Sequence, residues 1–260
     1  MSNASLSASS KFEAAGVDAA NSRPITLGTS YTELLAATTF DWEGFFIAGY
    51  NIASSAVLSN IAIGASAAEQ DIVEDILMSP VTNARVHGNS AYFPIRIPAG
   101  TRISGIASVA NAARIQLHGC SKAPAGYSPG AGKSFLLDGT SGGTLINPGS
   151  TANTKGAYSE ITSSLSSDIS GFVMSVRASS ASLVTSSYLL DIAVGSSSSE
   201  VVILPDMLLA AESISDTFLP EWQGFFPISI PAGTRVAARA QSNVTGSNNQ
   251  FYVNLHGIPS

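Results

Sequence analysis

One ten-residue string occurs twice in this chain. Phe93-Pro94-Ile95-Arg96-Ile97-Pro98-Ala99-Gly100-Thr101-Arg102 returns 133 residues later as Phe226-Pro227-Ile228-Ser229-Ile230-Pro231-Ala232-Gly233-Thr234-Arg235, with one position changed. Other fragments repeat in the same order. Tyr31-Thr32-Glu33 matches Tyr158-Ser159-Glu160, and Asp41 and Gly44 match Asp168 and Gly171. Ile61-Ala62-Ile63-Gly64 matches Ile192-Ala193-Val194-Gly195, followed by Glu69, Asp75 and Leu77 against Glu200, Asp206 and Leu208. Leu117-His118-Gly119 matches Leu255-His256-Gly257. The spacing grows from 127 to 138 residues along the chain, as it does when loops lengthen while strands keep their register. An ordered repeat of this length constrains the chain to fold as two copies of one unit.

The unit itself is read from strand periodicity. Segments near Phe45–Ile52, Asn60–Gly64, Ile72–Leu77 and Arg114–Leu117 have strand character, as do Phe172–Arg177, Tyr188–Val194, Val201–Leu209 and Gln250–Leu255 in the second copy. With Ile25–Leu35 and Tyr158–Leu165, each copy holds seven or eight short strands separated by turn signals. Only Ala65–Leu77 has any helical character. That pattern predicts an all-β chain of two tandem antiparallel β-sandwich (jelly-roll-like) domains, arisen by internal duplication.

Within the repeated string, Pro98 pre-sets φ for a turn and Gly100 takes a left-handed conformation. Pro231 and Gly233 do the same in the second copy, and a bulged hairpin is expected at each. The expected boundaries are a flexible arm over 1–23, a first sandwich over 24–121, a Gly/Pro/Ser linker over 122–133 and a second sandwich over 134–260. Ser134–Asp138 and Thr144–Ile146 are expected to pair at the start of the second. The polar N-terminus lacks the pattern of a Sec signal, and no run is long enough to span a bilayer.

Composition narrows function. Charged residues are 12% of the chain and the formal net charge is −6, with no basic cluster, so no nucleic-acid ligand is expected on electrostatic grounds, and no membrane contact is expected. The single cysteine, Cys120, fits a small buried residue.

Apparent motifs fail on context. Gly130-Ala131-Gly132-Lys133-Ser134 resembles the end of a phosphate loop, but Phe135-Leu136-Leu137 follows where a helix must begin. Gly139-Thr140-Ser141-Gly142-Gly143 fits a nucleophile elbow by letter only. His118 and His256 hold equivalent places, which suits a structural role, and His87 has no metal-ligand spacing around it. Glu69, Asp71, Glu74 and Asp75 fit a solvated strand edge. No catalytic residue, cofactor or metal ligand is expected, and the chain is expected not to be an enzyme.

Thr154-Lys155-Gly156-Ala157-Tyr158-Ser159-Glu160-Ile161, Leu189-Leu190-Asp191-Ile192-Ala193-Val194-Gly195 and Phe226–Arg235 together resemble a module of tailed-bacteriophage virion structural proteins. The match covers 150–257, and more loosely 25–119, where Asn60 replaces Asp191 and the Thr-Lys-Gly lead-in is missing. The resemblance implies a virion component, assembled in the host cytoplasm. Its foremost form is a capsid decoration (cement) protein that binds the major capsid protein or other virion subunits, and a homo-oligomer is expected. A tail-associated or receptor-binding protein contacting glycans is the alternative, and an unrelated carbohydrate-binding module or enzyme accessory domain is a third reading.

Overall fold

The computed structural model describes residues 11–21, 23–53, 56–78, 89–124, 130, 132–139, 142–179, 185–212, 217–219, 222–245 and 249–260. These residues form strands and turns, with no helix. The first half contains β1 (Phe12–Ala15), β2 (Val17–Asp18), β3 (Arg23–Thr26), β4 (Thr32–Leu35), β5 (Gly44–Asn51), β6 (Val57–Ile63), β7 (Gln70–Met78), β8 (Asn89–Phe93), β9 (Ile103–Ala107) and β10 (Ala113–Cys120). The second contains β11 (Phe135–Leu136), β12 (Thr144–Ile146), β13 (Ser159–Thr162), β14 (Ile169–Ala178), β15 (Ser186–Val194), β16 (Val201–Glu212), β17 (Thr217–Leu219), β18 (Trp222–Phe226), β19 (Val236–Ser242) and β20 (Phe251–Pro259).

Each half is an antiparallel β-sandwich. In the first, a sheet of order β2-β3-β10-β5-β8, with β1 also on β10, faces a sheet of order β4-β9-β6-β7. In the second, β11-β20-β14-β18, with β12 also on β20, faces β13-β19-β15-β16-β17. Strand alternation makes the core: β5 turns Phe45 and Ile47 inward and β10 turns Ile115 and Leu117 inward, all buried. Phe172 and Met174 of β14 and Val253 and Leu255 of β20 do the same in the second copy. Each such side chain contributes about 1.5–3 kcal/mol of apolar burial.

The Leu-His-Gly repeat has a packing cause. A Cβ on Gly119 would sit 1.9 Å from the ring of Trp42, and one on Gly257 would sit 2.7 Å from Leu137 Cδ1. Both sandwiches therefore need a bare backbone where a large side chain lies across the last strand.

Four expectations are corrected. The arm assigned to 1–23 is part of the first sandwich from residue 12: β1 pairs with β10 from Phe12↔Cys120 to Ala15↔Leu117, and β2 pairs with β3. Ala15 is buried in the core, and Glu13 Oε2 accepts a 2.9 Å hydrogen bond from Trp42 Nε1. This segment is held mainly by backbone pairing, which leaves little alternation to read. Residues 1–10 lie outside the described residues.

The second correction is to the Pro98 and Pro231 turns. β8 and β9 belong to different sheets, so Pro98–Gly100 is an arch between the sheets rather than a hairpin, and Pro231–Gly233 is its counterpart. Proline nitrogens cannot continue a ladder. Asp41 Oδ1 instead accepts the Ala99 amide at 2.8 Å, and Asp168 Oδ1 accepts the Ala232 amide at 2.7 Å. Gly100 and Gly233 have φ of 79° and 78°, and their amides bond to Thr38 O and Leu165 O at 2.8 Å each.

Third, Ala65–Leu77 forms no helix; β7 pairs with β6 along its length. Fourth, β11 and β12 do not pair with each other but lie in succession along one edge of β20, as β1 and β3 do along β10.

Candidate interaction site at the domain junction

The repeated fragments converge on an arginine. In the first copy Arg102 Nε meets Glu33 Oε2 at 2.9 Å, while Nη1 meets Glu69 Oε1 at 3.0 Å and Gly64 O at 3.2 Å. In the second, Arg235 Nε meets Glu160 Oε2 at 2.7 Å, and Nη1 meets Glu200 Oε1 and Gly195 O, each at 3.1 Å. Four separated pieces of the repeat thus build one clamp per sandwich. Glu69 and Glu200 are not the solvated edge expected, because their side chains are only 7% and 8% exposed. Burial raises the Glu69 carboxyl, but backbone amides and Arg102 outweigh it and hold it below its usual range.

Beside each clamp lies a polar hub at a β-bulge, where Asp75 and Asp206 each have φ of 49°. Asn60 Oδ1 accepts the Asp75 amide at 2.9 Å and Asn60 Nδ2 donates to Asp71 Oδ2 at 3.0 Å. Tyr31 OH donates to Asp71 Oδ1 at 2.9 Å, and burial together with that carboxylate pushes the Tyr31 phenol up to about 12. In the second copy Asp191 Oδ1 accepts the Asp206 amide at 3.0 Å and Lys155 Nζ at 2.7 Å, while Oδ2 accepts Arg239 Nε at 3.0 Å. Lys155 also reaches Asp206 at 2.8 Å, and the Arg239 guanidinium lies 4.6 Å over Tyr158. Burial raises the Asp191 carboxyl, and the Asp206 amide, Lys155 and Arg239 bring it below its usual range. Lys155 and Arg239 were missed as partners. The signal was present: the first copy lacks both the Asp and the Lys lead-in, two departures that are one interaction.

The two sandwiches meet where the first is open. β7 and β8 are edge strands of its two sheets, and the outer face of the β20-β14-β18 sheet lies against them. Val173, Phe225 and Ile258 of the second sandwich belong to the core cluster of the first. Polar groups close the rim. Ser134 N and Oγ both donate to Ile72 O at 2.9 Å, Asn254 Nδ2 donates to Asp75 O at 2.9 Å, and Lys133 pairs with Glu74 at 3.1 Å.

On the docked face, cross-strand register sets Phe225, Val173, His256 and Leu136 in one row. His256 is fully covered, 3.3 Å from Ser175 Oγ through Nε2 and edge-on to Phe93 at 5.9 Å between centroids. Its Nδ1 meets no partner among the described residues, and burial pushes its pKa down to about 4. The same register in the first sandwich gives the row Tyr92, Phe46, His118 and Ala14. There His118 and Phe46 are half-buried, since the second sandwich lies on the far side.

The remaining sequence features do not assemble into one centre. Pro98 with Gly100 and Pro231 with Gly233 belong to two arches, one per sandwich. His87, Thr140 and Ser141 lie outside the described residues. Gly130, Lys133 and Ser134 strap the junction, Gly130 bridging to Ile95. Cys120 is buried and its thiol lies 3.3 Å from Gly44 O, with burial pushing its pKa up. No group of three metal-ligating side chains occurs among the described residues, and they contain no helix long and apolar enough to cross a membrane. An open cleft of about 530 Å³ beside β7 is lined by Gln70, Asp71, Ile72, Arg96 and Lys133.

No family model matches the chain, and no curated protein matches it. Among solved structures it is similar to the N-terminal CBM22-1-CBM22-2 tandem domain from Paenibacillus barcinonensis, at 12% identity over 96% of this chain and 91% of that one, with a TM-score of 0.24. A likeness that slight carries no argument about function.

Proposed function

We propose that this protein is a non-catalytic structural subunit of a bacteriophage virion, of the capsid-decoration type, acting by binding the major capsid protein or other virion subunits. The observation that carries this reading is the junction. Val173, Phe225 and Ile258 complete the core of a neighbouring sandwich, so two modules present their surfaces as one rigid body. A rigid pair engages two sites without first losing interdomain freedom, which strengthens multivalent attachment. The sequence resemblance to virion modules supports the same reading.

A docking arm contributes less than its predicted length suggested, because residues 12–18 are strands of the first sandwich. The direct test is copy number in purified virions encoded with this gene, measured by quantitative mass spectrometry. A decoration subunit is present in about as many copies as a fixed fraction of the capsid protein. A few copies per particle, with adsorption of the isolated protein to host cells, would transfer the assignment to the tail. Absence from the particle would overturn it.

A further inference from the structure

We propose that the chain self-associates head to tail, the outer face of one molecule's first sandwich docking on the open edge of the second sandwich of another copy. This goes beyond the virion reading and does not depend on it. The chain already makes this contact once, internally, and the contact joins two different surfaces: a sheet face on one sandwich and an edge on the other. An interface of that kind leaves one unused copy of each surface at the two ends of the molecule.

Both unused surfaces keep the character of their buried counterparts. On the first sandwich, the half-buried Phe46 and His118 stand where Val173 and His256 dock, Tyr92 at the end of the same row is buried, and Phe12 beside them is 63% exposed opposite the buried Cys120. Cys120 in turn corresponds to Ile258, which docks. On the second sandwich, β16 corresponds to β7. Leu77 on the covered edge is 0% exposed, whereas its counterpart Leu208 is 63% exposed and Val201 is 64% exposed on the same strand. A leucine kept at an exposed edge position, matching one that is fully buried on the docked edge strand, fits a surface with an occupant. β17 extends the second edge beyond β16, so the contact between copies centres on Val201 and Leu208 rather than on the β18 side.

The test uses the full chain in sedimentation equilibrium over a rising concentration series, with circular dichroism melts as folding controls. The expected result is an average mass that climbs above the 26.6 kDa monomer. Leu208→Asp and Phe12→Asp change exposed side chains, so each is expected to melt like the parent and to remain monomeric. Mixing the two variants is expected to restore dimers and nothing larger, since each retains one of the two complementary surfaces. A parent that stays monomeric at all concentrations would overturn the proposal. So would variants that associate as the parent does, or a mixture that yields no dimer.

Discussion

At the bulge in β7 the Asp75 amide is held by Asn60, a neutral side chain, whereas at the bulge in β16 the Asp206 amide is held by Asp191, a carboxylate that also takes Lys155 and Arg239. The two regions share the backbone requirement and differ in how its acceptor is supplied. A residue at φ of 49° exposes an N–H that needs an oxygen, and both copies place one there. Charge is optional, but it comes as a set: the copy with the carboxylate also carries the two cations, with Arg239 opposite Asp191 where the first copy has Ile106 opposite Asn60. A buried carboxylate without those partners would be strongly unfavourable.

This comparison is open to breaking. Asp191→Ala strands Lys155 and Arg239 and removes the acceptor for the Asp206 amide. The expected loss is about 3–5 kcal/mol, read as a lower urea midpoint. An unchanged midpoint would mean that the hub is a surface ornament.

Acid tests the buried His256 next. The pKa of His256 falls from 6.5 to about 4 on folding, so between those values the unfolded chain binds the proton first. Stability is therefore full above pH 6.5 and declines as pH falls toward 4, by up to about 3 kcal/mol from this residue. His256→Gln should flatten that part of the pH–stability curve measured by thermal unfolding.

Smaller effects sharpen the same contrast. Asn60→Asp places a second carboxylate against Asp71 and is expected to cost about 2 kcal/mol at pH 7. The like charge raises the pKa of the new pair, so the cost shrinks as pH is lowered, which urea titrations at pH 7 and 5 would show. Gly100→Val and Gly233→Val should each cost about 1 kcal/mol or more through backbone strain alone, because a Cβ at either site meets nothing within 4 Å. Equal costs at both would confirm that the arches are equivalent; a cost at neither would show the left-handed turn to be dispensable.

Much of the fold was legible because the repeated letters have local causes. Arg102 and Arg235, with Glu33, Glu69, Glu160 and Glu200, recur because each clamp needs all of its members, and Asp41 and Asp168 recur because a proline arch needs its amide satisfied. What was illegible is nonlocal. Pro98-Ala99-Gly100 suits a hairpin or an arch equally, and the difference lies in which sheet the next strand joins. β1 is a strand because β10 offers it an edge, not because of its own pattern. His118 and His256 stand in the same three-letter string, yet one faces outward and the other is sealed under Phe93. Only the arrangement of the two copies decides which.

The central claim is that the two sandwiches are one unit joined asymmetrically, with Val173 inside the junction and its counterpart Phe46 outside it. Thermal unfolding of Val173→Asp beside Phe46→Asp tests this most directly. Val173 is 1% exposed within the first sandwich's core cluster, so its substitution should lower stability by about 3 kcal/mol or more. Phe46→Asp, on the open face, should cost about 1 kcal/mol. Equal losses, or a larger loss for Phe46→Asp, would contradict the account.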